Sequence, residues 1–383
     1  MPEGKYNMSF ELNLPRRIIF GKGSIRSIGC EAKKLGRKVL LVTGKRALAA
    51  VGVLDQFKEY LETAGLEVVL YNKVFPEPDL STVDEGMALA CQAGCDLIIG
   101  LGGGSSLDVA KTVAGLAKNG GKTVEYQEGR EIRPELTLPF MAIPTTAGTG
   151  AEATYNAVIT NPDQKVKKSI RSPALMAVLA VVDPELTMTA SPEVTASAGM
   201  DALSHLVEGY CSLKANPVTD SLALSGIGLV GRSLRKAYND GGDIEAREDM
   251  SLAALLGGIV LANAGLGAAH GLAASLGPVA QAPHGLVCAV LLPYVMEFNL
   301  EAVPQKLSMI AAALTGMPDQ GPEAAAREVK NLLSDLSISG HLRDLGVAPS
   351  DISKIVKGVS SSAKYNPRPA SPEDLTGLLE KAM

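Results

Sequence analysis

The sequence predicts a two-domain protein in which an α/β domain with a parallel sheet precedes an all-helical domain. Over residues 1–185, short apolar, β-branched segments alternate with helix-like segments, as in a doubly wound, Rossmann-like sheet. After Asp183-Pro184 this alternation stops, and residues 186–383 are predicted almost entirely as helix. At 383 residues the chain is long enough for two domains of this size.

The N-terminal domain is predicted as a series of strands and helices. Residues 8–20 look like an edge hairpin, and Gly21-Lys22-Gly23-Ser24 opens a helix that runs to about Leu35. The next predicted elements are strands at 38–43, 67–71, 96–101 and 138–143, and helices at about 51–64, about 80–93 and directly after Gly102-Gly103-Gly104. Residues 153–183 are expected to add strands at 157–160 and 175–183.

The helical domain is predicted to begin at Ser191-Pro192. Serine can cap a helix N-terminus and proline suits the first helical turn. Glycine and proline then divide the remaining residues into successive helices. The predicted breaks lie at Asn216-Pro217, Gly241-Gly242, Gly265, Pro283, Pro304, 316–321 and Pro349.

Composition and charge argue against several classes of protein. A net charge of −5 disfavours nucleic acid or an anionic membrane as a partner. The segment nearest to a membrane span, 252–274, is rich in Gly and Ala and contains Asn263 and His270, which suits a buried helix better. The N-terminus has no apolar signal core, and the five cysteines lack CxxC spacing. We therefore expect a cytoplasmic protein with reduced thiols.

Two loops that follow predicted strands are candidates for binding a nucleotide pyrophosphate. Gly102-Gly103-Gly104-Ser105 follows one strand and opens a helix, whose free N–H groups and partial positive charge favour an anion. The loop 144–150 has hydroxyls and two glycines after another strand. The first loop is not the usual G-x-G-x-x-G fingerprint, so a simple strand–helix turn is the alternative. Two such loops together favour a pyrophosphate.

Gly44 stands at the end of the first strand of the nucleotide-binding half. An acidic residue there would bind the adenosine ribose hydroxyls and repel a 2′-phosphate. Here the glycine is followed by Lys45 and Arg46. We therefore expect NADP(H) to be favoured over NAD(H), with two solvated surface cations as the alternative interpretation.

Four side chains are candidates for one metal site. Asp201 and His205 are four residues apart in a predicted helix, so they lie on one face, one turn apart. His270 and His284 follow among small apolar residues, where histidine is unexpected. One carboxylate and three imidazoles, with no thiolate, suit Fe²⁺, Zn²⁺ or Mn²⁺. A hydrogen-bonded core histidine is the alternative for each, and His341 is expected at the surface.

With these residues the chain closely resembles the iron-containing (group III) alcohol dehydrogenases, relatives of glycerol dehydrogenase and dehydroquinate synthase. The resemblance covers nearly the whole length. It rests on the motifs GGGSSLDVAK (102–111), PTTAGTGAE (144–152), DPEL (183–186), GMDALSHLVEGY (199–210), HGLAASLGPVAQAPHG (270–285) and NPRPASPEDL (366–375). It implies the dehydroquinate synthase-like two-domain fold, with a dinucleotide-binding domain (1–185), a metal-binding catalytic domain (186–383) and an active site in the cleft.

The resemblance also implies roles for particular residues. By position, the metal ligands are Asp201, His205, His270 and His284, with iron as the expected metal. The implied cofactor-binding residues, besides Gly44, are Gly103, Gly104, Ser105, Asp108, Thr145, Thr146, Thr149, Asn156 and Lys168. For Lys168 an ordinary surface lysine remains the alternative, and for Asn156 a local turn residue.

The chain departs from the family pattern at two positions. Many members carry Asp where this chain has Gly44, which favours NADP(H). Many also carry a second histidine where this chain has Ala274, four residues after His270. If that histidine relays a proton elsewhere in the family, this chain must use water or a ribose hydroxyl instead.

The implied activity is that of an oxidoreductase interconverting a primary or small aliphatic alcohol and its aldehyde with a nicotinamide cofactor. The expected assembly is a homodimer or larger homo-oligomer. The alternatives are a dehydroquinate synthase-type sugar-phosphate cyclase, a metal-free reductase like maleylacetate reductase, and a non-catalytic nucleotide-binding protein. A cyclase needs several cations for its substrate. The cations of residues 199–285 lie away from the ligand motifs: Lys214, Arg232, Arg235, Lys236 and Arg247.

Overall fold

The chain forms two compact units. The computed structural model describes residues 9–45, 47–50, 52–164, 166–277, 279–280 and 282–383. The α/β unit comprises Asn13–Thr146 and Gly150–Thr189, and the helical unit comprises the described residues up to Leu12, Ala147–Thr149 and Ala190–Met383. Three residues named in the predictions lie outside the described residues. Met8 and Val51 belong to predicted elements, and Arg46 belongs to the cofactor argument.

The α/β unit alternates strands and helices along the chain. Its strands in the described residues are β1 (Ile18–Phe20), β2 (Lys38–Gly44), β3 (Glu67–Val74), β4 (Leu97–Gly102), β5 (Phe140–Pro144), β6 (Asn156–Asn161), β7 (Val166–Arg171) and β8 (Leu179–Val182). Its α-helices are α1 (Ile28–Lys33), α2 (Ala47–Ala50), α3 (Val53–Thr63), α4 (Leu80–Ala93), α5 (Gly104–Leu116) and α6 (Thr123–Gln127). The predicted parallel sheet is confirmed, with strand order β1-β8-β5-β4-β2-β3 and parallel pairing throughout.

The central strands are apolar along their length because both faces of the sheet are covered. Along β2, Val39 and Leu41 pack in one hydrophobic core, whereas Leu40 and Val42 pack in another. Successive side chains of a strand point to opposite faces, so each face of the sheet is buried by its own layer. This is why the strand segments are continuous apolar runs in the sequence.

Several details of the α/β unit differ from the prediction. The strand predicted over 175–183 is shorter, because Pro173–Leu175 form a 3₁₀ turn and β8 spans Leu179–Val182. The edge hairpin over 8–20 is wrong for its described part, because residues 9–17 contain no strand and β1 pairs parallel with β8. Pro15 lacks the N–H that a hairpin ladder needs there. Strand β7 was missed; it pairs antiparallel with β6 as a separate ribbon. Its sequence, VKKSIR, has one buried residue, Ile170, and gives no apolar signal.

The helical unit begins where the capping residues predict. Ser191 accepts a hydrogen bond from Val194 N at 3.3 Å, and Asn216 likewise caps the next helix. The α-helices of its described residues are α7 (Pro192–Cys211), α8 (Pro217–Asn239), α9 (Ile244–Ala264), α10 (Ala268–Leu276), α11 (His284–Phe298), α12 (Pro304–Thr315), α13 (Glu323–Asp335), α14 (Ile352–Lys357) and α15 (Pro372–Ala382).

Helix α7 lies at the centre of the helical unit. Every residue from Gly199 to Cys211 is buried, and the helix packs against α8, α9 and α11. Its buried apolar side chains contribute to the main hydrophobic core of this unit. Charged side chains are almost never fully buried unless they are paired or bind an ion. The acidic residues and histidine inside this helix therefore require partners.

The sheet unit extends a few residues beyond the last strand. Leu186, within the 3₁₀ turn Pro184–Thr187, packs in the same core as Leu179 and Val181 of β8. Residues through Thr189 consequently belong to the α/β unit, and the helical unit resumes at Ala190.

In the described part of the chain, no single helix is both long enough and apolar enough to cross a membrane. Helices α9 and α10 satisfy these criteria when taken together, but the pair is bent by 98° at the break between them.

Candidate metal centre and cofactor loops

The four predicted metal-site residues meet at one place in the helical unit. Helix α7 supplies Asp201 and His205, α10 supplies His270, and α11 begins with His284. Asp201 Oδ1 lies 3.6 Å from His270 Nε2 and 4.0 Å from His205 Nε2. The His205 and His270 rings stack with centroids 4.6 Å apart, and the His270 and His284 centroids are 5.5 Å apart.

The side chains at this place contain buried polar atoms without a hydrogen-bond partner in the described structure. These atoms are Asp201 Oδ1, His205 Nδ1 and His270 Nε2. Asp201, His205 and His270 are 3%, 4% and 6% exposed, whereas His284 is exposed. A buried, unpaired polar group costs about 1–3 kcal/mol. Asp201 Oδ1 and His270 Nε2 face each other, which fits a site for a cation. His205 faces Asp201 with its other ring nitrogen, Nε2, and is not among the residues whose ligand atoms all lie within 4.8 Å of one another.

The charges of the cluster suit a metal site. Burial alone would raise the pKa of Asp201, but His205, His270 and His284 nearby bring it below its usual value. Burial lowers the pKa of His205 to about 4, against the opposing effect of Asp201. At neutral pH Asp201 is therefore ionised and His205 neutral, the protonation states in which these two residues bind metal. Burial alone would lower the pKa of His270, but Cys288, Asp201 and Glu208 raise it well above its usual value, so a metal at its Nε2 would displace a proton.

Glu208 is a functional residue that the sequence analysis did not assign. Its carboxylate accepts hydrogen bonds from Ala269 N at 2.6 Å and His270 N at 3.2 Å. It also lies 2.6 Å from His270 Nδ1, so the ring donates its Nδ1–H to the carboxylate. This fixes the tautomer in which Nε2 is free to bind a cation. The signal was present in the sequence, because Asp201, His205 and Glu208 are spaced i, i+4, i+7 on one helix face.

The N-terminus of α10 is held in place from two sides. Asn366, the first residue of the NPRPASPEDL motif, accepts from Ala268 N at 3.3 Å and exchanges amide hydrogen bonds with Asn299. A Cβ at Gly267 would lie 2.8 Å from Glu208 Oε1 and 2.9 Å from Asn366 Oδ1. Glycine is therefore required where the backbone enters the helix that carries His270.

Cys288 also lies at the cluster, although the sequence analysis expected a set without a thiol. Its Sγ is 3.5 Å from His284 Nε2, and the two residues are four apart on α11. One ligand atom from each of Asp201, His270, His284 and Cys288 lies within 4.8 Å of the others. The i, i+4 spacing from His284 could have identified it.

The first predicted phosphate loop lies between β4 and α5 in the α/β unit. Gly103 is the N-cap of α5, and no side chain caps this helix end in the described structure. The N–H groups of the first turn, which includes Gly104 and Ser105, are therefore available to an anion. Gly102 has φ +151°, and a Cβ there would lie 2.6 Å from Ser106 Oγ.

Gly44 and the phosphate loop lie at the same edge of the sheet. Thr43 of β2 pairs with Leu101 of the neighbouring β4, so the carboxyl ends of these strands are side by side. From β2 the chain passes to β3 on one side and then to β4 on the other. Such a switch point is where open α/β sheets bind ligands. Lys45 is exposed, and Arg46 lies outside the described residues.

The second predicted loop follows β5, the next strand in the sheet. Gly102 pairs with Pro144, and Thr145 N donates to Gly102 O at 3.0 Å. A Cβ on Gly103 would lie 3.2 Å from Thr146 Oγ1, so the two loops approach closely. Thr149, in the helical unit, is exposed.

The fully buried Lys111 and the partly buried Asp108 form a polar pair on α5. Asp108 Oδ2 accepts from Val158 N at 2.9 Å, and its other oxygen lies 3.8 Å from Lys111 Nζ. Burial raises the pKa of Asp108 to about 6 and lowers the pKa of Lys111 to about 8, and in each case the neighbouring opposite charge opposes the shift. Lys111, not assigned from the sequence, also donates to Ala151 O and Asn156 O. Asp108 therefore anchors β6 to α5.

Asn156 and Lys168 lie on the β6–β7 ribbon. Asn156 begins β6, and its carbonyl oxygen accepts a hydrogen bond from Lys111 Nζ at 2.8 Å. Lys168 is exposed and pairs with Ile159 in the ribbon. Their assignment to the cofactor stays a prediction.

Replacing Gly102 with alanine should weaken cofactor binding. The backbone at φ +151° disfavours any side chain, and the new Cβ would overlap Ser106 Oγ. We expect a cost on the order of 1–3 kcal/mol, and the start of α5 must shift. Titration of fluorescence with NADPH measures the effect, with Gly120→Ala, at φ +70° and in open space, as the matched control. An unchanged dissociation constant would contradict the role of this loop.

Comparison with known proteins identifies the family of the chain. A model of the iron-containing alcohol dehydrogenases matches residues 15–184, and a model of the C-terminal part of the Fe-containing alcohol dehydrogenase family matches residues 195–383. The chain belongs to the iron-containing alcohol dehydrogenase family. The predicted two-domain fold and the predicted class of enzyme, an alcohol dehydrogenase, are thereby confirmed.

Similar members of the family cover nearly the whole chain. The 1,3-propanediol dehydrogenase of Klebsiella pneumoniae is 37% identical over 97% of this chain and 98% of its own length. The NAD-dependent methanol dehydrogenase of Bacillus methanolicus is 33% identical over 97% of this chain and 99% of its own. A crystal structure of 1,3-propanediol oxidoreductase superposes with a TM-score of 0.93 at 36% identity, covering 98% of this chain and 100% of the other.

The cyclase alternative is not favoured in this family member. Arg232 pairs with Asp249 on neighbouring helices, and Arg235 pairs with Glu328 and Asp335. The remaining arginine in question, Arg247, donates to Thr195 and to backbone carbonyls. These cations therefore stabilise the helical unit.

Proposed function

We propose that the chain catalyses the reversible, NADP(H)-linked oxidation of a small primary alcohol to its aldehyde at a divalent metal ion. Asp201, His205, His270 and His284 would hold the metal. The observation that carries this proposal is the convergence of unpartnered, buried carboxylate and imidazole atoms at one place in the helical unit. Fe²⁺ is the favoured ion, and the donor set also suits Zn²⁺ and Mn²⁺.

The protein's own groups prepare this chemistry. When bound, the metal supplies a Lewis acid for the substrate oxygen, and the nicotinamide supplies the hydride acceptor. Glu208 keeps the proton of His270 on Nδ1, which leaves Nε2 as a donor atom. Burial of Asp201 and His205 excludes water from their side chains, which strengthens their electrostatic interactions.

The proton of the alcohol must leave by a route other than a histidine on α10. Ala274 lies one turn after His270, and its methyl group cannot accept a proton. We propose that water or a cofactor ribose hydroxyl accepts it.

The cofactor is proposed to bind at the carboxyl ends of β2, β4 and β5. The first turn of α5, with Gly103, Gly104 and Ser105, would bind the pyrophosphate through its N–H groups. Thr145, Thr146 and Thr149 would supply further polar contacts from the second loop. The switch point between β2 and β4 supports this placement.

NADP(H) is proposed as the preferred cofactor because β2 ends in glycine. The methanol dehydrogenase relative is named as NAD-dependent and a sulfoacetaldehyde reductase neighbour is in complex with NAD⁺, so family membership does not decide this preference. At Gly44 no carboxylate opposes a 2′-phosphate, and the exposed Lys45 follows.

Introducing aspartate at position 44 should shift the preference toward NAD(H). A Cβ at Gly44 would meet its nearest atoms at ordinary distances, 3.7 Å from Val74 O and 3.9 Å from Ser106 Oγ, so the side chain fits. Like-charge contact with a 2′-phosphate costs several kcal/mol, so the NADP⁺-to-NAD⁺ ratio of kcat/KM should fall at least about tenfold. Gly44→Ala controls for the added methyl group. A wild-type preference for NAD⁺, or an unchanged ratio in Gly44→Asp, would contradict the proposal.

The substrate is best identified with the metal-loaded enzyme. Relatives are named for 1,3-propanediol, methanol, choline and long-chain alcohols, so family membership leaves the chain length and charge of the substrate open. A panel of straight-chain primary alcohols, diols and choline, run with NADP⁺ and NAD⁺ in parallel, tests the activity. Absence of hydride transfer with every alcohol and with the matching aldehydes would overturn the proposed function.

A homodimer or larger homo-oligomer is proposed for the assembled enzyme. Phe10 and Leu14, in the N-terminal segment outside the sheet, expose 42% and 46% of their surfaces. Apolar side chains exposed in this way suit a contact between copies. Sedimentation velocity should give a mass above that of the 39.7 kDa monomer, and a monomer at micromolar concentration would contradict this. The cytoplasmic location stays a prediction.

A further inference from the structure

We propose that Cys288 is an additional, sulfur donor to the metal site, so that the donor set is five residues and includes a thiolate. This inference rests on the proposed function, since it concerns the same ion. It changes the chemistry of the site, because thiolate ligands favour Zn²⁺ whereas carboxylate and water ligands suit Mn²⁺.

The position of Cys288 makes it part of the cluster. It lies one turn after His284 on α11, so both side chains leave the same face of the helix. Its Sγ is 3.5 Å from His284 Nε2. Ligand atoms of Asp201, His270, His284 and Cys288 lie within 4.8 Å of one another, close enough to share one ion.

The surroundings of Cys288 point to a ligand. Cys288 is fully buried, and the facing Asp201 Oδ1 and His270 Nε2 are buried atoms without hydrogen-bond partners in the described structure. Cys288 also packs in a hydrophobic core cluster, beside Leu272 and Leu291, as a structural cysteine does. Here the sulfur faces the same unpartnered carboxylate and imidazole atoms that the proposed ion would satisfy.

The other buried cysteine of the helical unit provides the contrast. Cys211, at the end of α7, is 5% exposed and packs in the main hydrophobic core, and burial raises the pKa of its thiol to about 12. It is absent from the groups of side chains that could hold a metal among the described residues. Cys211 is therefore a matched control for the removal of a buried thiol.

Binding by Cys288 has a simple proton balance. The Sγ–H bond breaks as the Sγ–metal bond forms, and the proton passes to the buffer. No electron is transferred, and the metal keeps its oxidation state.

X-ray absorption at the zinc edge tests the inference directly. The full-length protein is stripped of metal and reloaded without oxygen with one equivalent of Zn²⁺. We expect a sulfur scatterer at about 2.3 Å beside the nitrogen and oxygen shell. It should persist in Cys211→Ala and disappear in Cys288→Ala and in the near-isosteric Cys288→Ser, while one zinc remains bound. The affinity for Zn²⁺ relative to Mn²⁺ should fall in the same two variants.

The failures of the two proposals can be told apart. Stoichiometric zinc with only nitrogen and oxygen neighbours in the wild-type protein would overturn the role of Cys288 and leave the four-residue site standing. A sulfur shell that persists in both Cys288 variants would overturn it as well. A wild-type protein that binds no zinc would overturn the metal site itself and this inference with it.

Discussion

Replacing His270 with alanine should abolish tight metal binding and lower the turnover of alcohol oxidation at least about a thousandfold. The ring stacks on His205 and lies 3.6 Å from Asp201, so its loss removes a donor from the middle of the cluster. A Lewis acid contributes several kcal/mol to stabilising charge on the substrate oxygen, and each 1.36 kcal/mol is a factor of about ten in rate. Elemental analysis and steady-state kinetics measure the two effects.

The matched control for this substitution is His341→Ala. His341 is an exposed histidine of the same unit, and its backbone N–H donates to Ser339 Oγ. We expect its metal content and turnover to equal those of the wild-type protein. If His270→Ala kept one equivalent of metal and full turnover, the four-ligand site would be wrong. Circular dichroism distinguishes metal loss from unfolding, since both variants should retain the helical spectrum.

Replacing Glu208 with glutamine should weaken metal binding roughly 10- to 100-fold although the residue would not touch the ion. Glu208 accepts from Ala269 N, His270 N and His270 Nδ1, so both carboxylate oxygens face donors. A glutamine would place an NH₂ group against one of these N–H donors. If this group faces Nδ1, the imidazole proton moves to Nε2, the atom that the proposed metal needs. Competition with a fluorescent chelator measures the affinity.

Glu193→Gln is the control, because Glu193 is an exposed carboxylate in the first turn of the same helix. It should leave the metal affinity unchanged. If Glu208 only caps α10, Glu208→Gln would lower the melting temperature of the metal-free protein without changing the metal affinity of the folded site. Equal affinities in Glu208→Gln and the wild-type protein would therefore contradict the positioning role and leave only the cap.

Helical spacing explains how much of the metal cluster was predictable. Asp201 and His205 were recognisable because i and i+4 share a helix face, whatever the rest of the chain does. His270 and His284 were recognisable as polar residues in apolar surroundings, but their distance from α7 depends on the packing of three helices. The approach of α10 in turn requires Gly267 and the hydrogen bonds of Asn366.

Glu208 and Cys288 carried the same spacing signal and were not assigned. A carboxylate seven residues after Asp201 can as well be a buried structural group. Its role is evident only in the structure, where N–H groups at the N-terminus of α10 donate to it. A cysteine among apolar residues resembles core packing. In both cases the partner lies on another helix, and local pattern contains no information about it.

In the α/β unit, prediction was clearest where burial was complete. Strands such as β2 and β4 are buried on both faces, so their apolar runs were unambiguous. Strand β7 is largely polar and has one buried residue, and the N-terminal segment has alternating apolar residues without strand pairing over 9–17. Edge and ribbon structure depends on hydrogen-bond partners, which residue type alone does not specify.

The most direct test of the metal-centred site is a titration of the metal-free enzyme. The protein is depleted with a chelator, and Fe²⁺ is added back without oxygen while NADP⁺ reduction by a primary alcohol is followed. We expect activity to be absent at the start, to rise linearly, and to stop rising at one equivalent of metal per chain. Full activity in the depleted protein, with metal well below one equivalent by elemental analysis, would contradict the account.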